Sequence, residues 1–256
     1  MLNCCLIQSD IHPIAVEENL NHYNRLLEKL ENRSDILIFP EMFACGFSEN
    51  VADIAANYSQ KCLDFLYQIA QKYHADVVAS LPIMENKQIF NRLVWVRENQ
   101  IMAHYDKRHL FFGCEKQLFK SGKTKTTVHK NGWNFLPLIC YDVRFPVWCR
   151  NQYQNGTILY DCLLFVANFP APRTYVWKSL LVARAIENQA YVIGVNRIGE
   201  DGLGNKHCGN SIVVNPLGEI IAEAPQNEAC LLSVNLEKAV LDAFRRDFPV
   251  FEDWDK

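Results

Sequence analysis

Three stretches of this chain run apolar for several residues and then present one reactive side chain. "DILIFPEMFACGF" delivers Glu41, "QIMAHYDKRHLF" delivers Lys107 and "NFLPLICYDVRFP" delivers Cys140. A carboxylate, an ammonium and a thiol can serve as proton shuttle, anion-stabilising cation and nucleophile. Taken singly, each residue has an ordinary explanation. A Glu after a strand is usually exposed, a Lys in a polar loop is usually solvated, and a Cys ending a strand is usually core. Their shared placement is what joins them, because groups beyond the carboxyl ends of strands in open α/β sheets line the crevice where ligands bind. Delivered in that way, the three could converge on one site.

The elements that must position them are legible as apolar runs of strand length with longer amphipathic segments between. Strands are expected at "NCCLIQ", "DILIFP", "ADVVAS", "NRLVWV", "FLPLIC", "CLLFVAN", "AYVIGVN", "SIVVN", "EIIAE" and "CLLSVN". Helices are expected over 16–31, 57–74, 177–188 and 236–246. No Ser/Gly/Pro-rich linker, low-complexity tract or internal repeat divides the chain, so one α/β domain over residues 1–256 is expected. The nearly continuous, β-branched strands call for sheets covered on both faces.

Composition excludes several classes of function. The chain has 256 residues, 49% hydrophobic and 21% charged, with a formal net charge of −3, which gives no basic footprint for nucleic acid. The locally basic "KSGKTKTTVHK" reads as a solvated loop or hairpin. "MLNCCLIQSD" reads as a strand and not as a signal peptide, and runs such as "CLLFVA" are far too short to span a bilayer. A cytoplasmic protein with no membrane partner is expected.

The ten cysteines include no C-x-x-C pair, and many sit in apolar contexts such as "DCLLF". They read as reduced thiols, mostly small buried hydrophobes, without a disulfide framework. The histidines form no spaced metal set, His207-Cys208 being merely adjacent. "GEDGLGNK" lacks the context of a phosphate loop. Neither cofactor nor metal is expected.

Together, "FPEMFACGF", "YDKRHLF", "PLICYDVRFP", "ARAIENQAYVIGVNRIG" and "GNSIVVNPLGEII" resemble, in order along nearly the whole chain, the signature blocks of the nitrilase (carbon–nitrogen hydrolase) superfamily. Within it, "KRHLF" and "CYDVRFPVW" are most similar to the bacterial omega-amidase branch, which hydrolyses 2-oxoglutaramate. The resemblance implies a four-layer α-β-β-α sandwich, a homodimer or higher assembly, and a Glu-Lys-Cys triad at Glu41, Lys107 and Cys140. It also implies a second glutamate, which falls on Glu115 ahead of "KSG"; the segment from Lys107 to Glu115 is shorter than in many relatives.

Amide hydrolysis through a thioester suits these residues. A free thiol, with a pKa of about 8.5, needs assistance at neutral pH, which Glu41 can provide as base. Lys107 and a backbone N–H, assigned to Tyr141, can hold the oxyanion. Asp142 and Arg144 read as a local pair holding the turn after Cys140, and His109 as structural. A short ω-amido acid such as 2-oxoglutaramate or succinamate would need a cation for its carboxylate. Arg173 in "NFPAPRTYVW" is the candidate, with a surface arginine near a helix start as the competing reading. Phe112, Phe169 and Tyr175 are candidate walls, with core packing as the competing reading. Three other functions stay open: a sibling amidase for deaminated glutathione, a nitrile-cleaving enzyme, and a non-catalytic binding protein with the same fold.

Overall fold

The fold follows from a computed structural model that describes residues 1–48 and 50–254. In chain order the first half comprises β1 (Leu2–Gln8), α1 (Val16–Leu27), β2 (Ile36–Ile38), α2 (Val51–Asn57), α3 (Ser59–Tyr73), β3 (Asp76–Glu85), β4 (Gln88–Arg97) and β5 (Gln100–Asp106). Next come α4 (Cys114–Leu118), β6 (Val128–Lys130), β7 (Trp133–Ile139), α5 (Pro146–Cys149), β8 (Tyr153–Gln154), β9 (Thr157–Ile158) and β10 (Cys162–Ala167). The last part holds α6 (Thr174–Asn188), β11 (Tyr191–Asn196), β12 (Ile198–Glu200), β13 (Lys206–Cys208), β14 (Ile212–Val214), β15 (Ile220–Glu223), β16 (Cys230–Leu236) and α7 (Lys238–Asp247).

Two six-stranded sheets form the centre, ordered β16-β1-β2-β3-β4-β5 and β15-β14-β11-β10-β7-β6. The middle strands of each, β1-β2-β3 and β7-β10-β11, are parallel, and the flanking strands are antiparallel. Side chains alternate with the period of two that a pleated strand imposes. Cys4, Leu6, Ile36, Ile38, Val78, Leu93 and Trp95 face the second sheet. Cys5, Ile7, Leu37, Val77, Ala79, Val94 and Val96 face α1 and α3, against Leu20, Tyr23, Leu66 and Ile69. On the far side, Trp177, Leu181 and Ala185 of α6 cover the second sheet. Helix, sheet, sheet, helix is the expected α-β-β-α sandwich.

All ten expected strands form, and the helices differ at their ends. The expected 57–74 segment forms one helix, α3, and the unforeseen α2 precedes it, the two separated at Tyr58 (φ −122°, ψ −12°). Helix α3 stops at left-handed His74, where the Ala75 N–H bonds back to the Ala70 carbonyl. The helix expected over 16–31 ends at Leu27, because the chain must turn to reach β2. The basic stretch contributes β6, which hairpins onto β7.

Nine cysteines are free, seven of them buried, and the side chain of Cys114 lies outside the described residues.

Candidate active site

Four strands end at one rim, two from each sheet. Beyond β2 the chain places Glu41, beyond β5 Lys107, beyond β7 Cys140 and beyond β10 Asn168. Each exit is a forced turn. Met42 adopts φ 52° and its N–H donates to Ser80 Oγ at 2.9 Å, which turns the chain sharply after Glu41. Lys107 opens a loop that closes where the Gly122 N–H donates to the Lys107 carbonyl at 2.9 Å. Gly122 has to be glycine, since a Cβ there would sit 2.0 Å from the Asp106 carbonyl oxygen. Cys140 adopts φ 44° and starts a 3-10 helix, Cys140–Arg144. A left-handed conformation at a non-glycine residue is strained and persists only where its surroundings impose it.

The side chains meet in a buried hydrogen-bonded set. Lys107 Nζ donates to Glu41 Oε1 at 2.8 Å and to Glu115 Oε1 at 2.6 Å. Glu41 Oε1 also accepts from Asn91 Nδ2 at 2.8 Å, and its Oε2 accepts from the Asn168 N–H at 2.8 Å. Asn168 Nδ2 donates to the Glu41 carbonyl at 2.7 Å, so side chain and backbone of Glu41 are both held by one asparagine. The short α4 brings Glu115 inward, and the Phe111 N–H donates to its second oxygen. Exposure is 0% for Glu41, 2% for Lys107, 3% for Glu115 and 7% for Cys140, so their charges interact with little screening.

That burial sets the protonation states. The Cys140 thiol is pushed well above its ordinary value by burial first, then by the Glu41 and Glu115 charges, against the opposing pull of Lys107. Burial also raises Glu115, with Lys107 opposing. For Lys107, burial favours the neutral amine, but Glu115 and Glu41 together outweigh it and hold the ammonium charged. The resting sulfur is therefore a thiol that needs a base, and a carboxylate stands in the same cavity.

The cavity has a volume of about 260 Å³, with Glu41, Lys107, Glu115, Cys140 and Asn168 among its lining residues. Its walls are Phe47, Phe111, Phe112, Tyr141 and Phe169, together with Arg144 and Arg173. Arg173 lies over the Phe111 ring at 5.1 Å and Arg144 over the Phe169 ring at 5.9 Å. Neither guanidinium has a carboxylate partner among the described residues. The β12–β13 hairpin closes one side with Asp201, Leu203, Asn205 and His207. Asp201 shapes it, accepting from the Leu203 and Asn205 N–H groups at 2.9 Å each and from His207 Nε2 at 3.2 Å.

Sequence reasoning brought Glu41, Lys107, Glu115, Cys140, Tyr141 and Arg173 forward, and all six line this one cavity. It erred on the turn after Cys140. Asp142 does not pair with Arg144; its oxygens are taken by His109, Tyr105 and the Ile139 N–H. Arg144 instead turns toward the cavity, because the 3-10 winding puts residues two apart on different sides. His109 is held against Asp142 and Phe145, as a structural residue would be. Tyr175 is 83% exposed and forms no wall, whereas Phe112 and Phe169 do. Asn91 and Asn168 were missed. Asn168 carried a signal, since "CLLFVANFP" ends an apolar strand in a polar residue as the other three stretches do. Asn91 carried none, being one buried polar residue within a strand.

The fold and this site define a hydrolase class, and comparison with known proteins agrees. Residues 5–246 match the carbon–nitrogen hydrolase family. The chain belongs to that family. It is 40% identical to Omega-amidase YafV of Escherichia coli (strain K12), covering 100% of this chain and 97% of that protein. It is 31% identical to the 2-oxoglutaramate amidase of Bacillus subtilis (strain 168), covering 96% and 95%. Among solved structures it is similar to XC1258 from Xanthomonas campestris, a CN-hydrolase superfamily protein with an arsenic adduct in its active site. That match has a TM-score of 0.95 and 36% identity over 100% of this chain and 97% of the other. A mutant amidase from Nesterenkonia sp. AN1, with acrylamide added at its active-site cysteine, matches with a TM-score of 0.81 and 25% identity over 100% of both chains. Amidase chemistry is the activity these relatives support.

Proposed function

We propose that this protein is an omega-amidase that hydrolyses the terminal amide of short ω-amido acids such as 2-oxoglutaramate or succinamate. The reaction would release ammonia through a thioester on Cys140. The observation that carries the reading is the Glu41–Lys107–Glu115 set, which shares one cavity with a thiol held in a strained turn.

Cys140 sulfur attacks the amide carbon as its proton passes to Glu41, and the carbonyl π electrons move onto oxygen. Lys107 has three N–H donors, two of them engaged by Glu41 and Glu115, which leaves one for the oxyanion. The first turn of a helix leaves its N–H groups without helical acceptors, and that of Tyr141 supplies a second donor. As the oxyanion collapses, the C–N bond breaks and Glu41 returns the proton to nitrogen, which leaves as ammonia. Water then attacks the thioester, giving a proton to Glu41. The second collapse breaks the C–S bond, and Glu41 restores the thiol as the acid departs. Glu115 keeps Lys107 charged and aimed. Arg173 is the proposed partner of the substrate carboxylate. No step calls for a cofactor.

Ammonia release from 2-oxoglutaramate, succinamate, deaminated glutathione and a simple nitrile tests the reading. The ω-amido acids should be the fastest, and a preference for either other compound would replace the assignment. Glu41→Gln should lower turnover by roughly 10²–10⁴ with the thermal midpoint nearly unchanged. Turnover close to wild type would remove Glu41 from its role.

A further inference from the structure

One carboxylate outside the reacting set ties that set together. Asp142 is fully buried. Its Oδ1 accepts from the His109 N–H at 3.1 Å and from His109 Nδ1 at 2.7 Å. Its Oδ2 accepts from the Tyr105 hydroxyl at 2.7 Å and from the Ile139 N–H at 3.1 Å. Tyr105 and His109 stand two residues to either side of Lys107, while Ile139 and Asp142 flank Cys140. The ammonium and the sulfur are thus each carried mid-span between two anchored points, and every anchor ends on one carboxylate.

The anchors are themselves braced. The Tyr105 hydroxyl accepts from the Arg108 N–H at 3.1 Å and from Trp148 Nε1 at 3.0 Å. The His109 ring lies flat on Phe145, with centroids 3.6 Å apart and planes 8° apart. Apolar packing could also join the first sheet to the second here. A carboxylate adds direction, because four donors from two chain segments must aim at two oxygens, and a buried carboxylate left unfilled is costly.

We propose that Asp142 is a positioning residue that sets the separation between the Lys107 ammonium and the Cys140 sulfur, and so the place where the oxyanion forms. This rests on the amidase reading above. It explains why Cys140 holds φ 44°: the turn is closed from behind by the Ile139 N–H on Asp142. Since reactive geometry fails over small distances, loosening the clamp should cost chemistry more than binding.

Asp142→Asn tests this, because the amide turns one acceptor into a donor facing donors. Asp161→Asn is the control, since Asp161 is also buried but holds Arg245 Nη1 at 2.7 Å, away from the cavity. With each variant assayed well below its own thermal midpoint, Asp142→Asn should lower kcat on succinamate by roughly 10²-fold. KM should move less than about threefold, and Asp161→Asn should leave kcat within about twofold. Equal kcat losses in the two variants, or near-wild-type kcat in Asp142→Asn, would overturn the proposal. If Asp142→Asn does not fold, Tyr105→Phe, which removes one donor and no charge, should lower kcat about tenfold, and an unchanged kcat would overturn the proposal. Alkylation of Cys140 by acrylamide supplies a readout independent of the substrate and should slow in the same variants. A wild-type protein that releases no ammonia from any ω-amide would sink the amidase reading, and the alkylation rates would still decide the clamp.

Discussion

Two guanidinium groups, Arg144 and Arg173, reach the cavity without an acidic partner among the described residues, each lying over an aromatic ring. Every carboxylate lining the cavity is already engaged: Glu41 and Glu115 by Lys107, Asp201 by its own hairpin. An incoming carboxylate therefore meets two unspent cations. Arg173→Leu should lower kcat/KM for succinamate by roughly 10- to 150-fold, the worth of a hydrogen bond to a charged group. Butyramide, which is neutral and of equal length, should be affected much less. If Arg144→Leu shows the larger selective loss, the carboxylate sits on Arg144 and not on Arg173. Equal losses on both substrates would show that the arginines shape the pocket instead of reading charge.

Asp201 gives a stability prediction at the same scale. Burial alone would raise its carboxyl, but hydrogen bonds from His207, Asn205 and Leu203 prevail and lower it to about 2. A depressed carboxyl contributes stability that is complete above its unfolded value, near 3.9, and is lost as pH falls through about 2. That contribution is on the order of 1–2 kcal/mol. Asp201→Asn should therefore destabilise the protein at pH 6 and flatten the loss of stability between pH 4 and pH 2, as followed by thermal melts. An unchanged acid limb would show that the hairpin does not depend on this charge.

At the scale of elements, the strand ends govern the site, and the loop from Lys107 to Gly122 carries two of its charged groups. The loop closes through the Gly122 N–H and through Arg108 Nη1, which donates to the Gly122 carbonyl at 3.1 Å. Gly122→Ala would drive a methyl group into the Asp106 backbone, a strain of about 1–3 kcal/mol for forced overpacking. The clash falls on the residue preceding Lys107, so relieving it disturbs the loop that carries Lys107 and Glu115. Turnover should fall along with the thermal midpoint, and activity should not return at lower temperature. Recovery in the cold would mean that the loop tolerates the shift. Most of these elements were legible because apolar runs with strand periodicity are local signals. The strand-end residues stood out for the same reason, each being the first polar group after such a run. The separate helix α2 ahead of Tyr58 and the inward helix at Glu115 were not legible, since both answer to what they pack against.

At the scale of the molecule, Val147 in α5 is 88% exposed and Tyr175 near the start of α6 is 83% exposed. Exposed apolar groups of this size fit the homodimer that the family resemblance implies. Light scattering at micromolar concentration should give twice the chain mass, and Tyr175→Lys with Val147→Lys should shift it toward the monomer. A monomeric wild type with full turnover would show that pairing is not needed. Among the described residues, no helix is long and apolar enough to cross a membrane.

The sequence by itself determined most of the strands, the two-sided covering of the sheets and the order in which Glu41, Lys107, Glu115 and Cys140 appear. Periodicity, chain punctuation and residue chemistry are all properties of neighbours along the chain. Only the tertiary structure decided which polar groups touch. It set Asn91 and Asn168 on Glu41, gave Asp142 to Tyr105 and His109 instead of Arg144, and left Arg144 free to face the cavity. Those pairings join residues from 33 to 127 positions apart. A hydrogen bond is satisfied by whatever donor the packing brings within about 3 Å, and no local pattern records that choice.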